Sequence, residues 1–278
     1  MTRVALLVVL AGALACVGAD AAPPRVPAFG HVVVVVFENK TRSQVLGNRQ
    51  APAFNAFARG GVVLSGYRGV THPSLPNYLA LISGSTHGIA RDCTACKVAG
   101  ASLADTLEAR GRTWKTYAER LPRPGWTGAF RGRYAKKHVP FLYFRRVLAR
   151  PDRLRRIVPL RQLSGDLAAS RLPDFALVVP DLCHDMHDCG VAEGDRWLRR
   201  FLPPLLKLAD TAVFVVFDES STADPGVPGL ALGPLVRPSS RFRPVVTHYG
   251  LLRTIEDGLG LPRLGRSART GPITGIWR

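Results

Sequence analysis

"HVVVVVFEN", residues 31–39, is the stretch that decides the fold. It is apolar without interruption over the length of a strand, and it does not alternate. A strand of this kind is buried on both faces, as in a parallel sheet covered by helices. "FALVVPDL" (175–182) and "TAVFVVFDES" (211–220) repeat the pattern, and "GVVLSGY" (61–67), "TWKTYAE" (113–119) and "GLALGPLV" (229–236) are shorter strand candidates. Helical patterns lie between them. "AFNAFAR" (53–59) and "SLADTLEARG" (102–111) run into Arg and Gly, "GDRWLRRFLPPLLKLA" (194–209) must break at Pro203-Pro204, and "HYGLLRTIEDGLG" (248–260) ends on Gly. Alternating strands and helices predict an α/β fold with a mainly parallel central sheet flanked by helices on both faces. Residues 120–173, basic and irregular, read as a small cap insertion.

The chain has 278 residues, 46% of them apolar, enough for one large core. "MTRVALLVVLAGALACVGADA" (1–21) has an early cation, an apolar stretch too short for a membrane span and an Ala-Asp-Ala end. It reads as a secretory signal cleaved after Ala21, leaving 22–278 as the mature domain, secreted or in the cell envelope. Ala13-Leu14-Ala15 before Cys16 is a poor lipobox, so a lipid anchor is the weaker alternative. The remaining cysteines, Cys93, Cys96, Cys183 and Cys189, read as two disulfides in an exported chain, with 93–96 and 183–189 the simplest pairing. A zinc site on Cys93-x-x-Cys96 is the rival.

Net charge is +18, which favours anionic partners: phosphorylated substrates or an anionic surface. No nucleic-acid-binding motif accompanies the charge, so specific nucleic-acid recognition is not supported. No later segment is long and apolar enough to span a bilayer.

Each strong strand runs out into polar residues: Glu38-Asn39, Asp181 and Asp218-Glu219. In open α/β sheets ligands bind beyond the carboxyl ends of strands. Carboxylates gathered there repel one another, so a hard divalent cation is the natural occupant. "PDLCHDMHDCG" (180–190) packs Asp181, His184, Asp185, His187 and Asp188 into one loop, suited to binding phosphate, donating a proton or holding a second metal. "THPSLPNYLALISGSTHGI" (71–89) places Thr71, His72, Ser74 and Asn77 at the mouth of an apolar helix that stops at Gly84. Capping is one reading of these residues, and a nucleophile over an anion site is the other.

"FEN" (37–39), "THPSLPNYLALISGSTHGI", "PDLCHDMHDC" (180–189), "VFVVFDE" (213–219) and "THYGLLRTIED" (247–257) occur in one order across nearly the whole chain. In this the sequence resembles the bacterial phosphoesterase family of secreted acid phosphatases and phospholipase C enzymes, within the alkaline phosphatase superfamily. The resemblance implies a metal-dependent hydrolase of phosphate monoesters that works through a phosphoserine on Ser74, with Thr71 the runner-up nucleophile. It implies Glu38, Asn39, Ser74, Asp218 and Glu219 as ligands of a divalent ion (Mg, Mn, Ca or Zn). It also implies His187 and His248 in catalysis, and Thr71, His72, Asn77, His184 and Asp185 around the substrate. The pair Asp218-Glu219 departs from the paired aspartates of related acid phosphatases.

The implied substrate is a phosphorylated small molecule or lipid. A phospholipase C or other phosphodiesterase on the same fold is the near alternative, and a non-catalytic basic protein for anionic surfaces is the distant one. A sulfatase-like enzyme lacks its Cys-x-Pro-x-Arg motif here.

Overall fold

The computed structural model describes residues 25–278; the expected signal segment, with Cys16, lies outside the described residues. The strands are β1 (His31–Phe37), β2 (Val62–Leu64), β3 (Tyr67–Arg68), β4 (Trp114–Ala118), β5 (Phe130–Arg131), β6 (Tyr134–Ala135), β7 (Ile157–Pro159), β8 (Phe175–Val179), β9 (Thr211–Phe217), β10 (Gly229–Leu232), β11 (Ser240–Phe242) and β12 (Val246–Thr247). The helices are α1 (Arg42–Val45), α2 (Pro52–Gly60), α3 (Ser74–Ser83), α4 (Leu103–Ala109), α5 (Arg145–Leu148), α6 (Pro151–Leu154), α7 (Gln162–Ala168), α8 (Val191–Phe201) and α9 (His248–Leu259).

Eight strands form the main sheet in the order β11-β2-β10-β9-β1-β8-β4-β7. The three long apolar runs are its centre, β9-β1-β8, paired in parallel, and β10 is antiparallel to both of its neighbours. Central strands must be apolar on both faces, and β1 from Val32 to Phe37 is buried throughout. Side chains alternate along β9. Phe217 faces Phe54 of α2 and stacks on Phe37, which also meets Trp197 of α8. Phe214, three residues earlier, points the other way onto Trp277, which packs on Phe29 beside Gly258 of α9. Helices therefore cover both faces, α2 with α8 on one and α9 with α3 on the other.

Local chemistry fixes the helix ends. Pro52 opens α2, and Asp195 of α8 accepts the N–H groups of Ala53 (3.1 Å) and Phe54 (2.9 Å) that Ala51 has no side chain to cap. α8 stops at Phe201, ahead of Pro203-Pro204. Gly84, at φ 70°, closes α3 in the left-handed conformation.

Residues 120–173 are not a separate cap. They supply β7, which pairs with β4 at the sheet edge, and they bury Phe141, Leu142, Tyr143 and Phe144, with Phe141 stacked on Trp114 at 4.6 Å. The arginines that make the stretch read as irregular lie on its outer side, apart from the buried Arg153, which is bound to Asp105 and Glu108, while the apolar residues between them join the core. Both cysteine pairs are disulfides, Cys93–Cys96 and Cys183–Cys189, which leaves no thiolates for the rival zinc site. Among the described residues no helix is long and apolar enough to cross a membrane.

Candidate active site

Because β9, β1 and β8 run in parallel, their carboxyl ends open on one side of the sheet. Phe37 and Phe217 are register partners, so Glu38 and Asp218 leave the sheet side by side. The Asp218 N–H donates to Phe37 O (3.0 Å) and the Glu38 N–H to Asp185 O (2.8 Å). Asn39 holds a left-handed backbone, φ 57°, which Asn tolerates and which is common at functional sites. Its N–H donates to Asp218 Oδ1 at 3.3 Å.

Ser74 begins α3. Its hydroxyl makes no capping bond and donates instead to carboxylates: Oγ lies 2.8 Å from Glu38 Oε2 and 3.2 Å from Glu219 Oε1. One turn on, Tyr78 donates to the other oxygen of Glu38, Oε1, at 2.6 Å. Glu38, Ser74 and Asp218 are almost fully buried, and Asp218 Oδ2 has no hydrogen-bond partner. Burial pushes the Glu38, Asp218 and Glu219 carboxyls up from the ordinary carboxylate range, and at Asp218 the charges of Glu38 and Glu219 add to the effect. A buried set of mutually repelling oxygen donors, with one oxygen unpartnered, has the chemistry that a bound cation would satisfy.

The structure also gathers Asp185, His187 and His72 around this set. Asp185 Oδ1 accepts the His187 N–H at 2.7 Å, and burial raises the Asp185 carboxyl to about 8. His187 Nδ1 lies 2.6 Å from Asp188 Oδ1. His72 is half exposed at the mouth with Nδ1 against Glu219 Oε2.

Other expected site residues stand elsewhere. His248 is buried, with Nε2 2.6 Å from the Asp218 carbonyl and Nδ1 2.7 Å from the Tyr67 hydroxyl. A carbonyl only accepts, so Nε2 carries the hydrogen and Tyr67 donates to Nδ1. Burial lowers this ring to about 4. His248 therefore holds the Asp218 backbone and has no free nitrogen for a leaving group. The Asn77 amide is bound to loop backbone: it accepts from Val70 and Thr71 N–H and donates to Thr71 and Pro73 carbonyls. Thr71 is exposed and its hydroxyl donates to His72 O. The N–H of Leu75, in the first turn of α3, is already bound to Asp92 Oδ1 (2.9 Å), so it is not open to an anion as a bare helix start would be.

Asp181 and His184 turn away from the Glu38 set. Asp181 Oδ1 accepts the N–H groups of Cys183 (3.0 Å) and His184 (3.1 Å). His184 Nδ1 lies 2.9 Å from Glu119 Oε2, and its ring stacks beside Trp197. Glu119, Asp181 and His184 offer ligand atoms within 4.8 Å of one another, a second cluster with the geometry for a metal, although Arg120 Nε already approaches Asp181 Oδ2 at 3.3 Å.

Sequence reasoning misses His138, Lys137 and Tyr78. His138 is buried between Asp185 Oδ2 (3.2 Å from Nδ1) and Glu38 Oε1 (3.3 Å from Nε2), stacked on Tyr78, and burial lowers it to about 4. Lys137 reaches Asp92 Oδ2 at 2.8 Å and His187 Nε2 at 3.2 Å. The available signal is "KKHVP" (136–140), a lysine pair and histidine leading into an apolar turn, and it is easily lost in the surrounding arginines.

The sequence model of the Phosphoesterase family matches residues 44–262. The chain is similar to a phosphatidylinositol-3-phosphatase of Mycobacterium tuberculosis, 36% identical over 98% of this chain and 90% of that protein. It is also similar to an acid phosphatase of Aspergillus fumigatus, 32% identical over 75% of this chain. The chain spans about half of that acid phosphatase, 51% of its length. Among solved structures, an alkaline phosphatase superfamily protein from Vibrio parahaemolyticus superposes with TM-score 0.60 at 13% identity, over 89% of this chain and 72% of the other. A lipoteichoic acid synthase from Listeria monocytogenes gives 0.58 at 12% identity, over 84% and 74%.

Proposed function

This chain belongs to the Phosphoesterase family, and from that premise we propose that it is an exported, metal-dependent phosphomonoesterase that forms a phosphoserine on Ser74. The observation that carries the reading is the Ser74 hydroxyl, held 2.8 Å from Glu38 Oε2 and 3.2 Å from Glu219 Oε1 beside the unpartnered Asp218 Oδ2. Two disulfides support an oxidising compartment, and the acid phosphatase relatives support monoesters.

Glu38, Asn39, Asp218, Glu219 and Ser74 Oγ fit a hard divalent cation, because all offer oxygen and the buried carboxylates lack enough donors of their own. Such an ion (Mg, Mn, Ca or Zn), when bound, supplies Lewis-acid neutralisation of the phosphoryl charge and eases deprotonation of a hydroxyl. The chain's own residues do the rest. Ser74 Oγ attacks phosphorus as its proton passes along the 2.8 Å hydrogen bond to Glu38. The bond from phosphorus to the alcohol oxygen breaks on the opposite side. His187, oriented through Nδ1 by Asp188, takes up a proton on Nε2 once Lys137 leaves that nitrogen for the phosphoryl oxygens, and gives it to the leaving oxygen. Lys137 and His72 hold the phosphoryl oxygens. Water then attacks the phosphoserine, its proton goes to His187, and the Ser74 oxygen recovers its proton from Glu38.

The test is hydrolysis of p-nitrophenyl phosphate and of its bis-ester by purified protein, with EDTA and with added divalent ions. Ion-dependent turnover that favours the monoester is expected. Preference for the bis-ester would convert the reading to a phosphodiesterase on the same site. Absence of turnover on either ester with every ion would overturn it in favour of a non-catalytic basic binding protein.

A further inference from the structure

The β5–β6 hairpin stands beside the active site and plays no part in the chemistry above. Phe130 pairs with Ala135 and Arg131 with Tyr134, leaving a two-residue turn, Gly132-Arg133. Gly132 sits at φ 55°, the positive angle such a tight turn requires at its first position. The inner strand is anchored: Tyr134 and Ala135 are buried, and Trp126 packs edge-on against Tyr134 at 5.2 Å. Phe130, Arg131, Gly132 and Arg133 are all exposed.

The exposed strand and turn of this hairpin are unusual for a surface. Phe130 is 58% exposed, one of two large apolar side chains so exposed among the described residues. Arg131 and Arg133, with Arg120, line a cavity of about 480 Å³. Arg120 is drawn to Asp181, whereas Arg131 and Arg133 have no carboxylate partner among the described residues. The hairpin is also coupled to the site on both sides. Arg133 O accepts the N–H of Leu182 at the start of the 180–190 loop (3.0 Å), and the residues directly after Ala135 are Lys136, Lys137 and His138.

An arginine cavity alone suits any anion. Phe130, exposed next to Arg131 in the same strand, gains nothing from a soluble anion, but a hairpin that enters the boundary between headgroups and acyl chains seats it there while the arginines pair with the headgroups. The chain's net charge of +18 complements the same partner. We propose that the β5–β6 hairpin docks the protein on an anionic lipid surface through Phe130, Arg131 and Arg133, so that the substrate is a phosphorylated headgroup presented in a bilayer. The substrate half of this proposal rests on the phosphoesterase reading; the docking half does not.

The test is co-sedimentation with phosphatidylcholine vesicles, alone or with phosphatidylserine at about one part in five, for wild type, Phe130→Ser, and Arg131→Gln combined with Arg133→Gln. Wild type should sediment with the phosphatidylserine vesicles, less so as salt is raised. Each arginine removed should weaken partition about fivefold, roughly 25-fold for the pair. Phe130→Ser should weaken it at every salt concentration. Turnover of soluble p-nitrophenyl phosphate should stay within about twofold of wild type, while turnover of a phosphorylated lipid in vesicles falls with the partition.

Wild-type protein that ignores phosphatidylserine, or variants that sediment like wild type, would overturn the docking. Variants that lose soluble and vesicle turnover equally would also overturn it, making the cavity a subsite for a soluble anion. Sedimentation needs no turnover, so a wild type that binds vesicles and hydrolyses nothing would strike the phosphoesterase reading alone.

Discussion

Ser74 Oγ and Glu38 Oε2 lie 2.8 Å apart, joining the first residue of a helix to the residue that directly follows the central strand of the sheet. Pro73 occupies the cap position of that helix, and the Ser74 hydroxyl donates to carboxylates and not to the helix backbone. Ser74→Ala is therefore expected to lower turnover by about 10³-fold or more. Its thermal midpoint in EDTA should fall by only a few degrees, because the variant removes one hydroxyl donor to the buried carboxylates and little apolar contact. Steady-state kinetics beside calorimetry checks both halves. Turnover that survives in Ser74→Ala would remove it as nucleophile, and Thr71 is a poor successor, since its hydroxyl faces the carbonyl of His72.

The unpartnered Asp218 Oδ2 leads to a prediction about stability that does not involve activity. In EDTA the clustered carboxylates destabilise the fold, and a bound divalent cation should raise the unfolding midpoint. At an ion concentration near one hundred times Kd the gain is about 2.7 kcal/mol. Asp218→Asn removes one buried acid, so in EDTA it should be more stable than wild type, by about 1–3 kcal/mol. It should also lose most of its response to added ion. A midpoint indifferent to Mg, Mn, Ca and Zn alike would contradict the cation site.

Lys137 is a cation that the chain sets close to the Glu38 and Asp218 carboxylates, bracketed by Asp92 and His187. A lysine that holds phosphoryl oxygens in ground and transition state alike contributes uniform binding. Lys137→Met should raise KM for p-nitrophenyl phosphate about 10- to 100-fold and change kcat little. A large fall in kcat at unchanged KM would instead place Lys137 in the chemical step.

The strands and their acids are legible for one reason: a doubly covered sheet demands uninterrupted apolar runs, and polar residues directly after them stand out. Glu38, Asp218 and Glu219 need only the parallel register of β1 and β9 to meet. Ser74 is legible from the turn before its helix. What is not legible depends on packing between distant segments. His138 and Lys137 come from a 3-10 turn in the basic stretch, and nothing in their local spacing points to Glu38. The 180–190 loop shows the same limit at short range. Its acids and histidines are dense, but only the backbone path between Cys183 and Cys189 determines that Asp185 faces Glu38 while Asp181 and His184 face Glu119. The cap expected at 120–173 fails because arginine usage hides a buried apolar turn.

Glu256 on α9 supplies a pH dependence remote from the candidate site. Its Oε1 accepts the Leu264 N–H at 2.8 Å and its Oε2 the Ser267 hydroxyl at 2.5 Å, yet burial pushes the carboxyl up to about 7. The folded value thus lies above the unfolded one, near 4.5. Below that lower value both states hold the proton and the side chain's contribution to stability is complete. Between the two values the unfolded chain has released its proton and the folded chain has not, so stability falls as pH rises, by about 1.36 kcal/mol per unit and about 3 kcal/mol in all. Above the folded value both states are ionised and nothing more is lost. Glu256→Gln stays neutral throughout, and its amide can donate to Ser267 Oγ while that hydroxyl donates to Leu264 O at 2.7 Å. Urea unfolding of both proteins at about pH 5 and about pH 7.5, in EDTA, isolates the effect, because every other titrating group is common to the pair. Glu256→Gln should gain on wild type by about 2 kcal/mol between those two pH values; an unchanged difference would mean that Glu256 ionises in the folded protein as readily as in the unfolded chain.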